Sequence, residues 1–398
     1  MQVVLMGLGY IGLPTAALMA GKGIHVHGVD VNANTVETIN QGRIHIIEPD
    51  LEGLVHYCVK QGLLVASSQP VKADVFMIAV PTPFKEGHKP DLSYVESATR
   101  MVLPFLNQGC LYIIESTSPV GTTEKMADLI FSQRPDLKGT MHIAYCPERV
   151  LPGNVIHELQ HNDRVIGGIN EASTAAAISF YSKFVKGSLH ATHARTAEMC
   201  KLVENAYRDV NIAFANELSI ISDKAGIDVN ELIDLASKHP RVKILTPGPG
   251  VGGHCIAVDP WFIISDYESE AKMIRQARET NNYKKEWVLA KIENTAGELE
   301  KTLKRKPVIA CMGLTYKADI DDVRESPSME IFSTLKKKNP GVLAVEPHIR
   351  KGSAIPVTGP EEAVQQADLI VYLVAHKSFK KIVTPAGKKV LDFCGALR

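Results

Sequence analysis

The feature that most constrains this chain is a short apolar run, Val3–Met6, followed at once by Gly7-Leu8-Gly9-Tyr10-Ile11-Gly12 and then by a helical stretch, Pro14–Gly21. Strand, glycine turn and helix in that order form a phosphate-binding turn. Gly7 permits the tight turn, Gly9 lets backbone N–H groups approach a pyrophosphate, and Gly12 lets the helix pack on the strand. Tyr10 and Ile11 sit within the turn and are grouped with it as cofactor contacts. The helix N-terminus favours negative phosphates. The next apolar run, His25–Val29, ends at Asp30, about 20 residues on, where such a turn requires an acid. A carboxylate there accepts hydrogen bonds from ribose hydroxyls and repels a 2′-phosphate, which favours NAD over NADP. The alternative, a glycine turn without a ligand, needs all these features to coincide by chance.

Alternation continues through Val75–Val80, Leu111–Glu115 and His142–Tyr145, with helical stretches at Asn34–Asn40, Leu92–Leu103 and Glu124–Phe131. Asp163–Gly168 reads as one more strand. The pattern predicts a parallel doubly wound sheet, an N-terminal Rossmann domain over residues 1–195. From Thr196 the texture changes. Thr196–Ala225 reads as one long helix, a second begins after Asp228 with Glu231 three residues on, and Asp259-Pro260 reads as N-cap and first turn of another. This all-α region covers 196–304. Strands at Val308–Met312, Val342–Val345, Leu369–Val374 and Lys389–Phe393, with helices at Met329–Lys337 and Pro360–Gln366, make a second Rossmann-like α/β unit over 305–398.

Lysine plus arginine equals aspartate plus glutamate, 44 each, so no charge bias points to nucleic acid or an anionic membrane. No stretch holds about 20 uninterrupted apolar residues. The seven cysteines are scattered without metal-ligand spacing, which suits a reducing cytoplasm and no metal. Cys58, Cys110 and Cys311 read as buried small hydrophobes.

Cys255 differs from these. It ends the glycine loop Gly250–His254, where small residues such as Gly252 leave room for a substrate against backbone, and Asp259 follows four residues later. On the long helix, Lys201, Asn205 and Arg208 share one face at spacings of four and three. A solvated polar stripe is the plain alternative for that face. Glu148 follows a strand carboxyl end and could act as a base. Thr82 and Thr117 leave the carboxyl ends of two other strands, where ligands of open α/β sheets sit.

Apart from Thr82, these residues lie within blocks (GLGYIGLP, ESTSPVGTTEK, YCPERVLPG, NDRVIGG, EMCKLVENAYRDVNIAFANEL, GPGVGGHCIAVDP and GLTYKADIDDVRESP) that resemble, in order and over about residues 1–395, the UDP-glucose/GDP-mannose dehydrogenase family. HPRVKIL followed by PGPGVGGHCIAVDPWF resembles the branch that acts on UDP-N-acetylmannosamine for bacterial surface polysaccharides such as enterobacterial common antigen. The resemblance implies an NAD-binding domain, a central helical dimerisation domain and a UDP-binding domain in a cytoplasmic homodimer. It implies a four-electron oxidation of the sugar C6 through a thioester on Cys255. Lys201 matches the family's acid/base, with Asn205 and Asp259 beside it, Glu148 a proton-transfer residue, and Thr117 a residue that holds water. Arg149, Val150, Arg208, His239, Arg241, Gly252, Tyr316 and Lys317 match substrate contacts, with Arg241 reaching across the dimer interface, and Arg324 matches a cofactor contact. Two positions depart from the pattern. Relatives often carry a basic residue, reaching UDP, where Cys394 stands, with Arg398 a candidate replacement, and Glu346 stands where many carry aspartate. UDP-N-acetylglucosamine or UDP-glucose could serve the same chemistry. A two-electron hydroxyacid-type dehydrogenase would need no cysteine.

Overall fold

The computed structural model describes residues 1–46, 48–150, 153–253, 255–349 and 355–398; His254 of the glycine loop lies outside them. The chain divides into two compact units, Met1–Glu204 with Trp261–Asp266, and Asn205–Pro260 with Tyr267–Arg398.

In the first unit the elements run β1 (Gln2–Met6), α1 (Gly12–Gly21), β2 (His25–Val29), α2 (Ala33–Asn40), α3 (Leu51–Lys60), β3 (Leu64–Ser67), β4 (Val75–Ile78), α4 (Ser93–Val102), β5 (Leu111–Ile114), α5 (Thr122–Gln133), β6 (His142–Tyr145), α6 (Val155–His161), β7 (Arg164–Gly168), α7 (Glu171–Tyr181) and β8 (Leu189–His193). Their sheet has the order β3-β2-β1-β4-β5-β6-β7-β8. Alternate residues of β1 feed different cores. Val3 and Leu5 join Leu13, Ala17 and Tyr181 on one face. Val4 and Met6 join Phe76, Tyr112 and Met126 on the other. Both faces are therefore covered, which explains why these strands read as continuous apolar runs.

The structure corrects the all-parallel expectation at one place. β7 pairs antiparallel with β6, Ala144 opposite Gly168 and Tyr145 opposite Gly167. The short α6 returns the chain beside β6 instead of carrying it back to the far end of the sheet. α3, β3 and β8 were not anticipated; β8 is an edge strand with mostly exposed or half-buried residues, so it carries no apolar run.

The second unit holds most of α8 (Ala194–Ala225), a 32-residue helix, then α9 (Val229–Ala236). Asp228 caps α9 by accepting from the Asn230 N–H at 2.8 Å. α10 (Asp259–Asp266) begins on Asp259 itself, one residue earlier than a cap-then-proline reading places it. α11 (Lys272–Leu303) leads to β9 (Ile309–Met312), α12 (Pro327–Lys338), β10 (Val342–Val345), α13 (Pro360–Gln366), β11 (Leu369–Tyr372) and β12 (Lys389–Asp392). This sheet is parallel with the order β10-β9-β11-β12. The architecture is α/β, with an N-terminal nucleotide-binding sheet, a central helical region built on α8 and α11, and a C-terminal parallel sheet. Among the described residues, no helix is long and apolar enough to cross a membrane.

Candidate active site

The turn between β1 and α1 fits a dinucleotide by sterics. Gly7 has φ +92°, and a Cβ there would stand 2.5 Å from the Ala79 carbonyl oxygen. A Cβ on Gly12 would overlap the Gly7 carbonyl, whereas one on Gly9 meets nothing within 4 Å. Two glycines thus close the turn, and the third leaves backbone open to a ligand. Ile11 offers α1 no side-chain cap, and Tyr10 beside it is exposed. Asp30 Oδ2 accepts from the Leu8 N–H and Oδ1 from the Asn32 N–H, both at 2.9 Å. A carboxylate has about four lone-pair sites, so Asp30 can brace the turn and still receive ribose hydroxyls. Ser116 Oγ donates to the Val80 carbonyl at 2.7 Å, tying the exit of β5 to that of β4 and holding the loops of Thr82 and Thr117 at one sheet edge.

Glu148 leaves β6 at the same edge and is buried. Its Oε1 accepts from the Arg149 N–H at 2.6 Å, and its Oε2 lies 3.0 Å from Arg164 Nη1. The Arg149 side chain, expected at the substrate, is engaged by Glu204 Oε1 and the Asp163 carbonyl, each at 2.5 Å. Val150 packs its side chain against the adjacent core. Lys201 is half-buried on α8, one turn before Asn205.

In the second unit the Asn205 amide donates to Asp259 Oδ2 at 2.5 Å. The Val258 and Asp259 N–H groups both bond the Cys255 carbonyl, at 3.1 and 2.9 Å, so Cys255 opens the turn that enters α10. Its side chain is exposed, while Cys58, Cys110 and Cys311 are buried as expected. The Tyr316 ring lies against Gly253, 3.0 Å from where a Cβ would stand. Burial, then the nearby Asp322 and Cys255, push the Tyr316 phenol up. Cys255, Gly252, Gly253, Asp259, Asn205 and Tyr316 thus form one neighbourhood. Arg324 makes a forked bond to Asp322, Nε to Oδ1 at 2.9 Å and Nη2 to Oδ2 at 2.7 Å. Lys317, Arg208, His239 and Arg241 are exposed, and the Arg241 N–H donates to His239 Nδ1 at 3.3 Å. Cys394 is buried, its thiol pushed well up by burial and by Asp392. Arg398 is occupied by the Asn230 carbonyl and Asp234.

Sequence reasoning missed a buried chain of polar groups around the cysteine loop. The Gly248 N–H donates to Asn216 Oδ1 at 2.9 Å, and Asn216 Nδ2 donates to Asn281 Oδ1 at 2.9 Å. Asn281 Nδ2 reaches Asp209 Oδ1 at 2.8 Å, and Arg278 Nη1 reaches the same oxygen at 2.8 Å and the Ile256 carbonyl at 3.4 Å. The chain therefore grips the loop on both sides of Cys255, at residues 248 and 256. Asp209, Asn281 and Arg278 are at most 1% exposed. On α8 and α11 such residues read as solvated faces; only pairing the two helices reveals them.

Comparison with known proteins identifies the family. Residues 1–185 match the NAD binding domain of the UDP-glucose/GDP-mannose dehydrogenase family, residues 195–283 its central domain, and residues 310–397 its UDP binding domain. The chain is 52% identical over 391 residues to an NDP-N-acetyl-D-galactosaminuronic acid dehydrogenase of Ralstonia nicotianae, covering 95% of this chain and 91% of that one. It is 52% identical over 393 residues to the UDP-N-acetyl-D-mannosamine dehydrogenase of Escherichia coli K12, covering 94% of each. The structure of a UDP-D-ManNAc dehydrogenase from Pyrococcus horikoshii matches with a TM-score of 0.90 at 38% identity, covering 100% of this chain and 96% of that one. With three successive family domains matched and the glycine turn shaped for its dinucleotide, this chain belongs to the UDP-glucose/GDP-mannose dehydrogenase family and is an NAD-dependent nucleotide-sugar dehydrogenase.

Proposed function

We propose that this enzyme oxidises C6 of UDP-N-acetyl-D-mannosamine to the uronate, removing four electrons in two steps with Cys255 as covalent nucleophile. The observation that carries the reading is the exposed Cys255 at the mouth of the turn into α10, beside an Asp259 carboxylate held by Asn205. The relatives from Escherichia coli and Pyrococcus horikoshii named for this sugar support the substrate.

NAD, when bound, supplies the hydride acceptor for both oxidations. The chain's own residues manage protons and the carbon centre. A base takes the C6 hydroxyl proton as the aldehyde forms, and the Cys255 thiolate adds to its carbonyl. This holds the carbon as an sp³ adduct whose second oxidation leaves a thioester. Lys201 and Asn205 stabilise the oxyanions, each good donor contributing about 3–4 kcal/mol in comparable sites. Thr117 holds water, and Glu148 accepts its proton as the thioester is hydrolysed. Gly7, Gly9, Tyr10, Ile11, Gly12, Asp30, Thr82, Thr117 and Arg324 bind the cofactor. Arg149, Val150, Arg208, His239, Arg241, Gly252, Tyr316 and Lys317 bind the UDP-sugar.

We assign the work to three domains, residues 1–195, 196–304 and 305–398, in a cytoplasmic homodimer. Tyr207, Phe214 and Ile221, seven residues apart on α8, are 72%, 53% and 54% exposed, an apolar stripe suited to a second copy. Arg241 then enters the partner's site.

The Ralstonia relative of equal identity favours a second reading, an N-acetylgalactosamine-type nucleotide sugar. Initial rates with the UDP-linked N-acetylmannosamine, N-acetylgalactosamine, N-acetylglucosamine and glucose derivatives decide between them. The highest kcat/KM with the mannosamine derivative is expected; preference for any other sugar overturns the assignment.

A further inference from the structure

Glu115 takes no part in the reaction as described, yet it stands at the carboxyl end of β5 in a closed cluster with Glu148. The two carboxylates share one cation. Arg164 Nη1 lies 3.0 Å from Glu148 Oε2 and 3.9 Å from Glu115 Oε1. Glu115, Glu148 and Arg164 are 3%, 8% and 4% exposed. The antiparallel β6–β7 pairing explains the geometry. Continuing its register from Tyr145 opposite Gly167 sets Arg164 opposite Glu148.

Around the three charges, Tyr181 on α7 donates its hydroxyl to Glu115 Oε1 at 2.7 Å and lies with its ring 5.2 Å from the guanidinium. Cys146 Sγ is 3.9 Å from Arg164 Nη1, and the Leu159 carbonyl at the end of α6 accepts from Arg164 Nη2 at 3.3 Å. Burial pushes the Cys146 thiol up to about 12 and the Tyr181 phenol well above its usual range, so neither ionises near neutrality. One guanidinium cannot balance two ionised carboxylates in a dry pocket, so the pair retains a proton. Glu148 accepts from the Arg149 N–H and has the nearer approach to the guanidinium. Glu115 has a neutral donor, Tyr181, and the longer approach to the guanidinium.

We propose that Glu115 is a positioning residue for thioester hydrolysis: by holding the cluster's proton it leaves Arg164 to Glu148 alone. The proposal rests on the role given above to Glu148. In that step water adds to the thioester carbonyl and its proton passes to Glu148. The C–S bond then breaks with its electron pair on the Cys255 sulfur. Burial, opposed by Arg164 and reinforced by Glu148, pushes the Glu115 carboxyl up to about 7. Above that pH a second negative charge competes with Glu148 for Arg164.

The test is the pH dependence of uronate release after a single turnover, followed in the intact enzyme with NAD and UDP-N-acetyl-D-mannosamine. The wild type should show an inflection near 7, the value to which Glu115 is raised. Glu115→Gln should lose it, and Glu115→Asp should restore one. Tyr181→Phe, which removes the hydroxyl favouring ionised Glu115, should move it to higher pH and provides the test if Glu115→Gln does not fold. An unchanged inflection in both Glu115→Gln and Tyr181→Phe, with Glu148→Gln unable to hydrolyse the thioester, overturns the proposal alone. Wild-type hydrolysis by Glu148→Gln overturns the role of Glu148 itself.

Discussion

Gly252 is the tightest point of the cysteine loop, and Gly252→Ala tests whether the loop's position sets the rate. A Cβ there would stand 2.8 Å from Pro327 Cδ and 2.9 Å from Tyr316 Cβ, and closer still to the Glu325 carbonyl oxygen. An ordinary carbon–carbon contact is about 3.5 Å, so the loop or the segment facing it must give by about 0.7 Å at Pro327. Pro327 opens α12 and the Glu325 contact is backbone, so neither yields as a flexible side chain would. Overpacking of this kind costs about 1–3 kcal/mol in stability. A shift approaching 1 Å at a reacting group costs about a hundredfold in rate. Stopped-flow measurement of both NADH-forming steps should therefore show kcat reduced by tens to about a hundredfold, while the Cys255 thiol still reacts with iodoacetamide. A Gly252→Ala enzyme with wild-type kcat would refute the claim that close packing of this loop positions the nucleophile.

Three further outcomes are expected. Burial, opposed by Arg278 and Asn281, pushes Asp209 up to about 6. A raised carboxyl contributes stability below its unfolded pKa of about 3.9 and loses it as pH rises through 6, about 3 kcal/mol in all for a shift of about 2 units. Arg278→Met should remove the counter-ion, cost about 3–5 kcal/mol and steepen the loss of urea stability between pH 5 and 7; an unchanged midpoint would argue against the buried pair. Asp30→Ala should raise the KM for NAD by about ten- to a hundredfold, the effect of hydrogen bonds to a charged group, and reduce discrimination against NADP; unaltered discrimination would remove Asp30 from the ribose site. Phe214→Glu places a charge in the apolar stripe of α8 and should give monomers in sedimentation velocity, whereas an intact dimer would move the interface elsewhere.

The sequence made the nucleotide turn legible because its sterics are local. Gly7, Gly12 and Asp30 each act within a few residues or across one strand pair, and β9 and β11 were legible as fully buried apolar runs. Direction and depth were less legible. Nothing in Arg164–Gly168 distinguishes a parallel from an antiparallel neighbour, yet that choice places Arg164 opposite Glu148. Asp209, Arg278 and Asn281 have the composition of a solvated helix face and are buried only because α8 and α11 pack those faces together. The partners of the Arg149 guanidinium, Glu204 and the Asp163 carbonyl, were invisible at sequence separations of 55 and 14.

The most direct test of the account is the amount of NADH formed per UDP-N-acetyl-D-mannosamine consumed, measured for the wild type and for Cys255→Ala with uronate followed separately. Two NADH per uronate in the wild type, and no uronate from a Cys255→Ala enzyme that still binds NAD, is the predicted result. One NADH per sugar, or full uronate formation without the cysteine, would contradict the covalent four-electron mechanism.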